Sequence, residues 1–222
     1  MTISKPSRRG LLLAAPALLA SPALLNAATR RDPITFTVLR GGTPIGTHRV
    51  EFVRGGEEPV VEIAIDMVVR FASIPLYRYA HRSREEWSGG LLQRLDARTD
   101  DNGTQTEVRA RAGSGGLAIE GSGGAYVAPA DTKPTSYWQE EMTRRTRLLH
   151  TQEGTLIDVA SRQTGTEELT IAGNPVEIRV YEVTGELNTR LGYARTGEWV
   201  DLEFMARGSK IRYRRDRLSS PA

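Results

Sequence analysis

From Val61 to Phe71 the chain alternates: Val61, Ile63, Ile65, Met67, Val69 and Phe71 are apolar, with Glu62, Ala64, Asp66, Val68 and Arg70 between them. Successive side chains of an extended backbone point to opposite faces, so this stretch carries one continuous apolar face as a strand and none as a helix. The run is long for a strand, which predicts strong twist or curvature. Similar candidates surround it: Ile34–Arg40, Ile45–Arg54, Leu76–Trp87, Leu91–Thr99 and Thr104–Ala112. Turn chemistry separates them at Gly41-Gly42, Gly55-Gly56, Ser88-Gly89-Gly90 and Asn102-Gly103. Connections this short join antiparallel neighbours. The first half therefore reads as an antiparallel meander.

Gly113 to Gly124 is rich in Gly and Ser around Leu117-Ala118-Ile119, and reads as a short strand between loose turns. One helix is expected over residues 136–149. Ser136 and Gln139 form a capping-box pattern, acids precede arginines along it, and Trp138, Met142 and Leu149 recur at helical spacing. Strand patterns then resume at Leu156–Ala160, Glu168–Ala172, Val176–Thr184, Leu187–Ala194, Glu198–Ala206 and Lys210–Arg214. The expected fold is mainly β: a single strongly curved antiparallel sheet, or open barrel-like clam, of about eleven strands with one inserted helix.

Residues 1–28 read as an export leader. Lys5, Arg8 and Arg9 precede an apolar run from Leu11 to Leu25, and small residues end it at Asn26-Ala27-Ala28. Ser7-Arg8-Arg9-Gly10-Leu11-Leu12 fits a twin-arginine signal, with a Sec signal as the alternative. The apolar run is short for a spanning helix and is interrupted by Pro16 and Pro22. Residues 29–222 are then expected to form one β-rich domain in the periplasm, without an integral membrane segment. The leader holds three basic residues and no acid, so the remainder is formally neutral and a nucleic-acid partner loses its electrostatic support. Absence of cysteine removes disulfides and thiolate chemistry.

No catalytic motif emerges. His48, His81 and His150 lack metal-ligand spacing, Gly113-Ser114-Gly115-Gly116 lacks the Lys-Ser/Thr of a phosphate loop, and no GxSxG elbow occurs. Asp100-Asp101-Asn102-Gly103 fits a hairpin turn better than a calcium loop. No cofactor or metal is expected. One strand breaks the ordinary pattern. The odd positions of Leu76–Trp87 are Tyr77, Tyr79, His81, Ser83, Glu85 and Trp87, which turned inward would combine aromatic walls with a few polar groups, as a ligand pocket does. His81 and Glu85 stand about 13 Å apart along such a strand, too far for an acid–base pair. Tyr137 and Trp138 read either as an anchor for the helix or as a wall of the same cavity.

Several phrases together resemble the DUF6134 family of uncharacterised proteobacterial proteins. They are Phe36-Thr-Val-Leu-Arg with Gly46-Thr-His48, Tyr77-Arg-Tyr79-Ala-His81 with Glu85 and Trp87, Pro134-Thr-Ser-Tyr-Trp138, Leu148-Leu-His-Thr-Gln-Glu-Gly154 and Tyr181-Glu-Val-Thr-Gly185-Glu-Leu187. The resemblance spans about residues 34–214. It departs at Gly192-Tyr193-Ala194, where the family pattern suggests Trp-Tyr-Asp. It implies no activity. The layout is similar to the DUF3108 envelope proteins and, more loosely, to curved-sheet lipoprotein carriers, an analogy of fold only. The resulting expectation is a non-enzymatic protein that binds an apolar or amphipathic ligand, such as a lipid, through Tyr77, Tyr79, His81, Glu85, Trp87, Tyr137 and Trp138. An envelope scaffold acting through its surface is the alternative, and a hydrolase using His81 or Glu85 stands third.

Overall fold

The structure, a computed structural model, describes residues 31–54 and 58–219. The expected leader, residues 1–28, lies outside them. Strands β1 (Ile34–Arg40), β2 (Thr43–Arg54), β3 (Val60–Phe71), β4 (Ile74–Ser88), β5 (Leu91–Asp101), β6 (Thr104–Gly113), β7 (Gly116–Gly121) and β8 (Gly124–Ala128) follow one another as antiparallel neighbours. After the short β9 (Lys133–Pro134) and β10 (Arg147–Leu149), a second meander comprises β11 (Leu156–Ile171), β12 (Asn174–Gly185), β13 (Thr189–Ala194), β14 (Trp199–Ala206) and β15 (Ser209–Arg215). The two runs join where β1 pairs with β15, Phe36 opposite Arg215 and Val38 opposite Tyr213. The result is one 15-stranded sheet with β8 and β9 at its edges, antiparallel except for β9 against β10.

Curvature follows from the alternation. One face collects the principal core, including Phe36, Val50, Val61, Ile63, Leu95, Ile119, Leu191, Trp199 and Leu202, and the sheet curls to bury it. Because the sheet does not close by strand pairing, the chain after β10 clasps the far side. Ser122 N–H donates to Glu153 O at 2.8 Å, Tyr126 Oη to Gly154 O at 2.8 Å and Thr106 Oγ1 to Gln152 O at 2.6 Å. Glycine is required at this contact: a Cβ on Gly121 would stand 2.4 Å from Glu153 O. A smaller core of Ile171, Ile178, Val180, Ala194 and Val200 lies on the opposite face of β11–β14, with Leu218 packed against it.

The helix expected over residues 136–149 does not form. Tyr137 sits at φ 65°, which a right-handed helix cannot contain, and Trp138 N–H turns back to Ser136 O. Only Glu140–Arg144 coils, as a single 3₁₀ segment entered from Gln139 without a side-chain cap, and Arg147–Leu149 becomes β10. The apolar stripe of three residues was too sparse to hold a helix on the sheet. As an irregular strap the same chain sends Trp138, Met142, Leu148 and Leu149 into the core separately. Leu156–Ala160 and Glu168–Ala172, read as two strands, fall, apart from Ala172 in the turn that follows, within one 16-residue strand whose middle is largely exposed and so shows no apolar alternation. Among the described residues no helix is long and apolar enough to cross a membrane.

Candidate functional site

Register across the concave face places side chains in a row. Arg215, Phe36, His48, Ile65, His81, Thr99 and Thr106 are consecutive cross-strand partners from β15 through β1 to β6. Residues two positions along a strand share its face, so Tyr79 and Ser83 flank His81 on the same side of β4. His48 and His81 are separated by one intervening strand, about 9–10 Å.

Above this row the core is not filled. A cavity of about 490 Å³ remains, with apolar walls that include Ile63, Ile65, Met67, Leu202, Phe204 and Tyr213. The strap contributes Thr135, Ser136 and Tyr137, and the chain after β10 contributes His150, Thr151 and Gln152. Exposed lining residues Leu76, Asp101, Asn188 and Arg207 gather at the ends of β4, β5, β13 and β14, which makes that end the mouth.

The polar groups inside are incompletely satisfied. His48 is buried with both ring nitrogens unpartnered, as are Tyr79 Oη, Ser83 Oγ and His150 Nδ1. Buried polar atoms ordinarily find partners in protein or ordered water. His81 is held by its Nδ1, 2.8 Å from Thr99 Oγ1. The rings of Trp199 and Tyr213 stand edge-on to His48 with centroids 5.1 and 5.4 Å away. Burial, together with the proximity of His81, lowers the pKa of His48 to about 3. Burial likewise lowers that of His81 to about 4, with His150 and Arg82 adding to the effect. Both are therefore neutral imidazoles at pH 7, each able to donate and accept a hydrogen bond.

Of the residues singled out from sequence, Tyr77, Tyr79, His81 and Tyr137 line the cavity. Glu85, Trp87 and Trp138 lie in the packed interior beyond it. Both indole N–H groups donate to Glu85 Oε2, at 3.0 Å from Trp87 and 2.9 Å from Trp138, and the two indoles stack edge to face at 5.7 Å. Lys133 Nζ caps the Trp87 ring at 4.8 Å. These three side chains hold the strap against β4. Sequence reasoning missed His48 and His150 as cavity residues, together with Phe204, Ile211 and Tyr213, and put Ser83 on the inward face without counting it among the contacts. Alternation within β15 carried a signal for the last two. Nothing local linked His48 to His81, because only the register of β2, β3 and β4 aligns them. Among the described residues no three His, Asp or Glu side chains are grouped so as to hold a metal ion.

The family model described as Domain of unknown function (DUF6134) matches residues 36–216. The chain belongs to DUF6134. No curated protein matches it. Among solved structures, this DUF6134 chain is similar to a β-barrel-like protein of the domain of unknown function DUF1849 from Brucella abortus. The TM-score is 0.59 at 9% identity, over 85% of this chain and 96% of that one. At that identity the likeness concerns fold alone, a β-barrel-like architecture. The segment Gly192-Tyr193-Ala194 also finds its place. Gly192 is buried opposite Asp201, where a Cβ would meet Asp201 Cβ at 2.8 Å and Ile178 Cδ1 at 2.9 Å. It lies outside the cavity lining, whereas Tyr193 turns inward and its hydroxyl donates to Tyr137 O at 2.8 Å.

Proposed function

We propose that this protein is a non-enzymatic binder of an apolar or amphipathic small molecule of lipid type, held in the cavity of the curled sheet. One observation carries the reading: a 490 Å³ apolar-walled cavity contains buried, unpartnered hydrogen-bonding atoms on His48, Tyr79 and Ser83. Ligand clefts fall in this range, about 300–1,000 Å³, and combine apolar walls with a few placed polar groups. The polar end of the ligand would meet the two neutral imidazoles, Tyr79 Oη and Ser83 Oγ, while its apolar part lies along Ile63, Ile65, Met67 and Phe204. Tyr77, Tyr79, His81 and Tyr137 are contact residues in this reading. We also place the protein in the bacterial periplasm, on the leader pattern of residues 1–28.

Native mass spectrometry of the purified protein, followed by organic extraction, tests the reading. A reproducible bound mass is expected, and Met67→Trp, which fills the cavity, should reduce its occupancy. A folded protein that carries no adduct and takes up no apolar fluorophore would overturn it.

A further inference from the structure

The mouth of the cavity carries a second feature that binding inside it does not require. At the tip of the β3–β4 hairpin Phe71, Ile74 and Leu76 are 74%, 64% and 61% exposed. Phe71 and Ile74 are cross-strand partners, so their side chains stand together at the end of the hairpin. The turn between them contains no charge, only Ala72 and Ser73. Leu76 also lines the cavity, so this apolar surface runs from the tip into the interior.

The charges around the tip differ from those elsewhere on the sheet. On the outer face of β2–β6 arginines are matched to carboxylates: Arg82 with Asp66 at 2.8 Å, Arg98 with Glu107 at 3.0 Å, and Arg84 with Glu62. Arg70 and Arg78 flank the tip, and Arg40 and Arg207 stand at the same end of the barrel. None of these four makes an ion pair among the described residues. Arg207 instead lies over the Tyr77 ring at 4.5 Å, joining the β14–β15 turn to the hairpin. Asp101 is the acid beside Tyr77, and no ion pair ties it to these arginines.

We propose that this end of the barrel docks on an anionic lipid bilayer, with Phe71, Ile74 and Leu76 entering the acyl boundary and the four arginines meeting headgroup phosphates. Three apolar side chains on one hairpin tip suit shallow insertion, whereas a stable protein interface needs an area of about 1,200 Å² or more. Unpaired arginines beside them supply charge complementarity to an anionic surface. The mouth then faces the membrane, and an amphipathic ligand could pass between bilayer and cavity without crossing water. That passage rests on the ligand-binding reading above; docking itself does not.

Flotation with vesicles tests the docking. The protein is purified from an exporting host, its N-terminus is established by mass, and it is mixed with phosphatidylglycerol/phosphatidylcholine or pure phosphatidylcholine vesicles. Anionic vesicles should bind it with a partition coefficient about tenfold or more above neutral ones. Phe71→Ser/Ile74→Ser and Arg70→Glu/Arg78→Glu should each reduce that binding by about tenfold. Both variants alter exposed side chains, and an unchanged unfolding midpoint confirms that they fold. Equal binding by wild type and folded variants, or no binding by wild type, overturns the proposal. So does a concentration-dependent dimer abolished by Phe71→Ser/Ile74→Ser without vesicle binding, which would make a second copy the occupant. Native mass spectra of the same samples keep the two readings apart, because lost docking with retained adduct indicts only the docking surface. Vesicle binding by a chain with no adduct indicts only the cavity.

Discussion

The indole of Trp138 donates its N–H to Oε2 of Glu85 at 2.9 Å, across 53 positions of sequence. With Phe52 and Trp87 packed edge-on to the same indole, this bond fixes the strap inside the barrel. Trp138→Ala is expected to lower unfolding free energy by about 3–5 kcal/mol, measured by urea denaturation, while cavity occupancy at saturating ligand changes little. Lost occupancy with unchanged stability would instead make Trp138 a ligand contact.

The carboxyl of Glu85 has a direction of its own. Burial raises its pKa, against the opposing effect of hydrogen bonds from Trp138, Ser136 and Trp87 and of the Lys133 charge. The folded chain therefore holds this proton more tightly than the unfolded one. The associated stability is full below the unfolded value near 4.5 and is lost as pH rises through the folded value. Glu85→Gln keeps a carbonyl for the indoles and cannot ionise. It should match wild type near pH 4 and exceed it at pH 8 in denaturant titrations.

The buried histidines act in the opposite sense. Folding lowers His48 to about 3 and His81 to about 4 from 6.5, so below pH 6.5 the unfolded chain binds more protons and stability falls with pH. Between pH 7 and pH 5 each histidine should remove roughly 2 kcal/mol. His48→Phe, which suits the aromatic surroundings of Phe36, Trp199 and Tyr213, should shrink the total loss by that amount. An unchanged slope would show that His48 is solvated.

Polar atoms left unpartnered in the cavity should be a liability to the empty protein. Ser83→Ala and Tyr79→Phe remove buried hydroxyls without partners. Each is expected to raise the stability of the ligand-free protein by about 1 kcal/mol and, on the proposed function, to weaken ligand binding by about tenfold. Calorimetry with an extracted ligand checks both effects on one sample.

The clasp admits a steric test. Gly121→Ala places a Cβ against Glu153 O and should cost about 1–3 kcal/mol. Hydrogen exchange should quicken in β7 and β8 before it does in β3 and β4.

The alternation that made the sheet readable, as at Val61 to Phe71, works locally: each strand states its own two faces. Tyr77, Tyr79 and His81 could be aimed inward for that reason, and the structure puts them on the cavity. Glu85 and Trp87 share that face but lie further along it, where the strap fills the interior. No local pattern encodes where filling stops. Trp138, Met142 and Leu149 were equally compatible with a helical stripe and with a strap pinned at separate points; the indole bond to Glu85 and the pairing of β10 with β11 decide it. The row from His48 to His81 depends on three strands in register, information distributed over residues 48, 65 and 81.

The junction of β1 with β15 has a consequence for how the molecule is made. Every other long strand pairs with a neighbour in sequence, so each meander can assemble as it is synthesised, at a small entropic penalty per hairpin. The seam cannot form until residues 209–215 have emerged, and the cavity has walls from both sides of it: His48, Ile63 and Ile65 from one run, Leu202, Phe204 and Tyr213 from the other. The cavity is thus the last thing the chain completes, and a nascent chain halted before β15 would own all three histidines and still lack one of the cavity's walls.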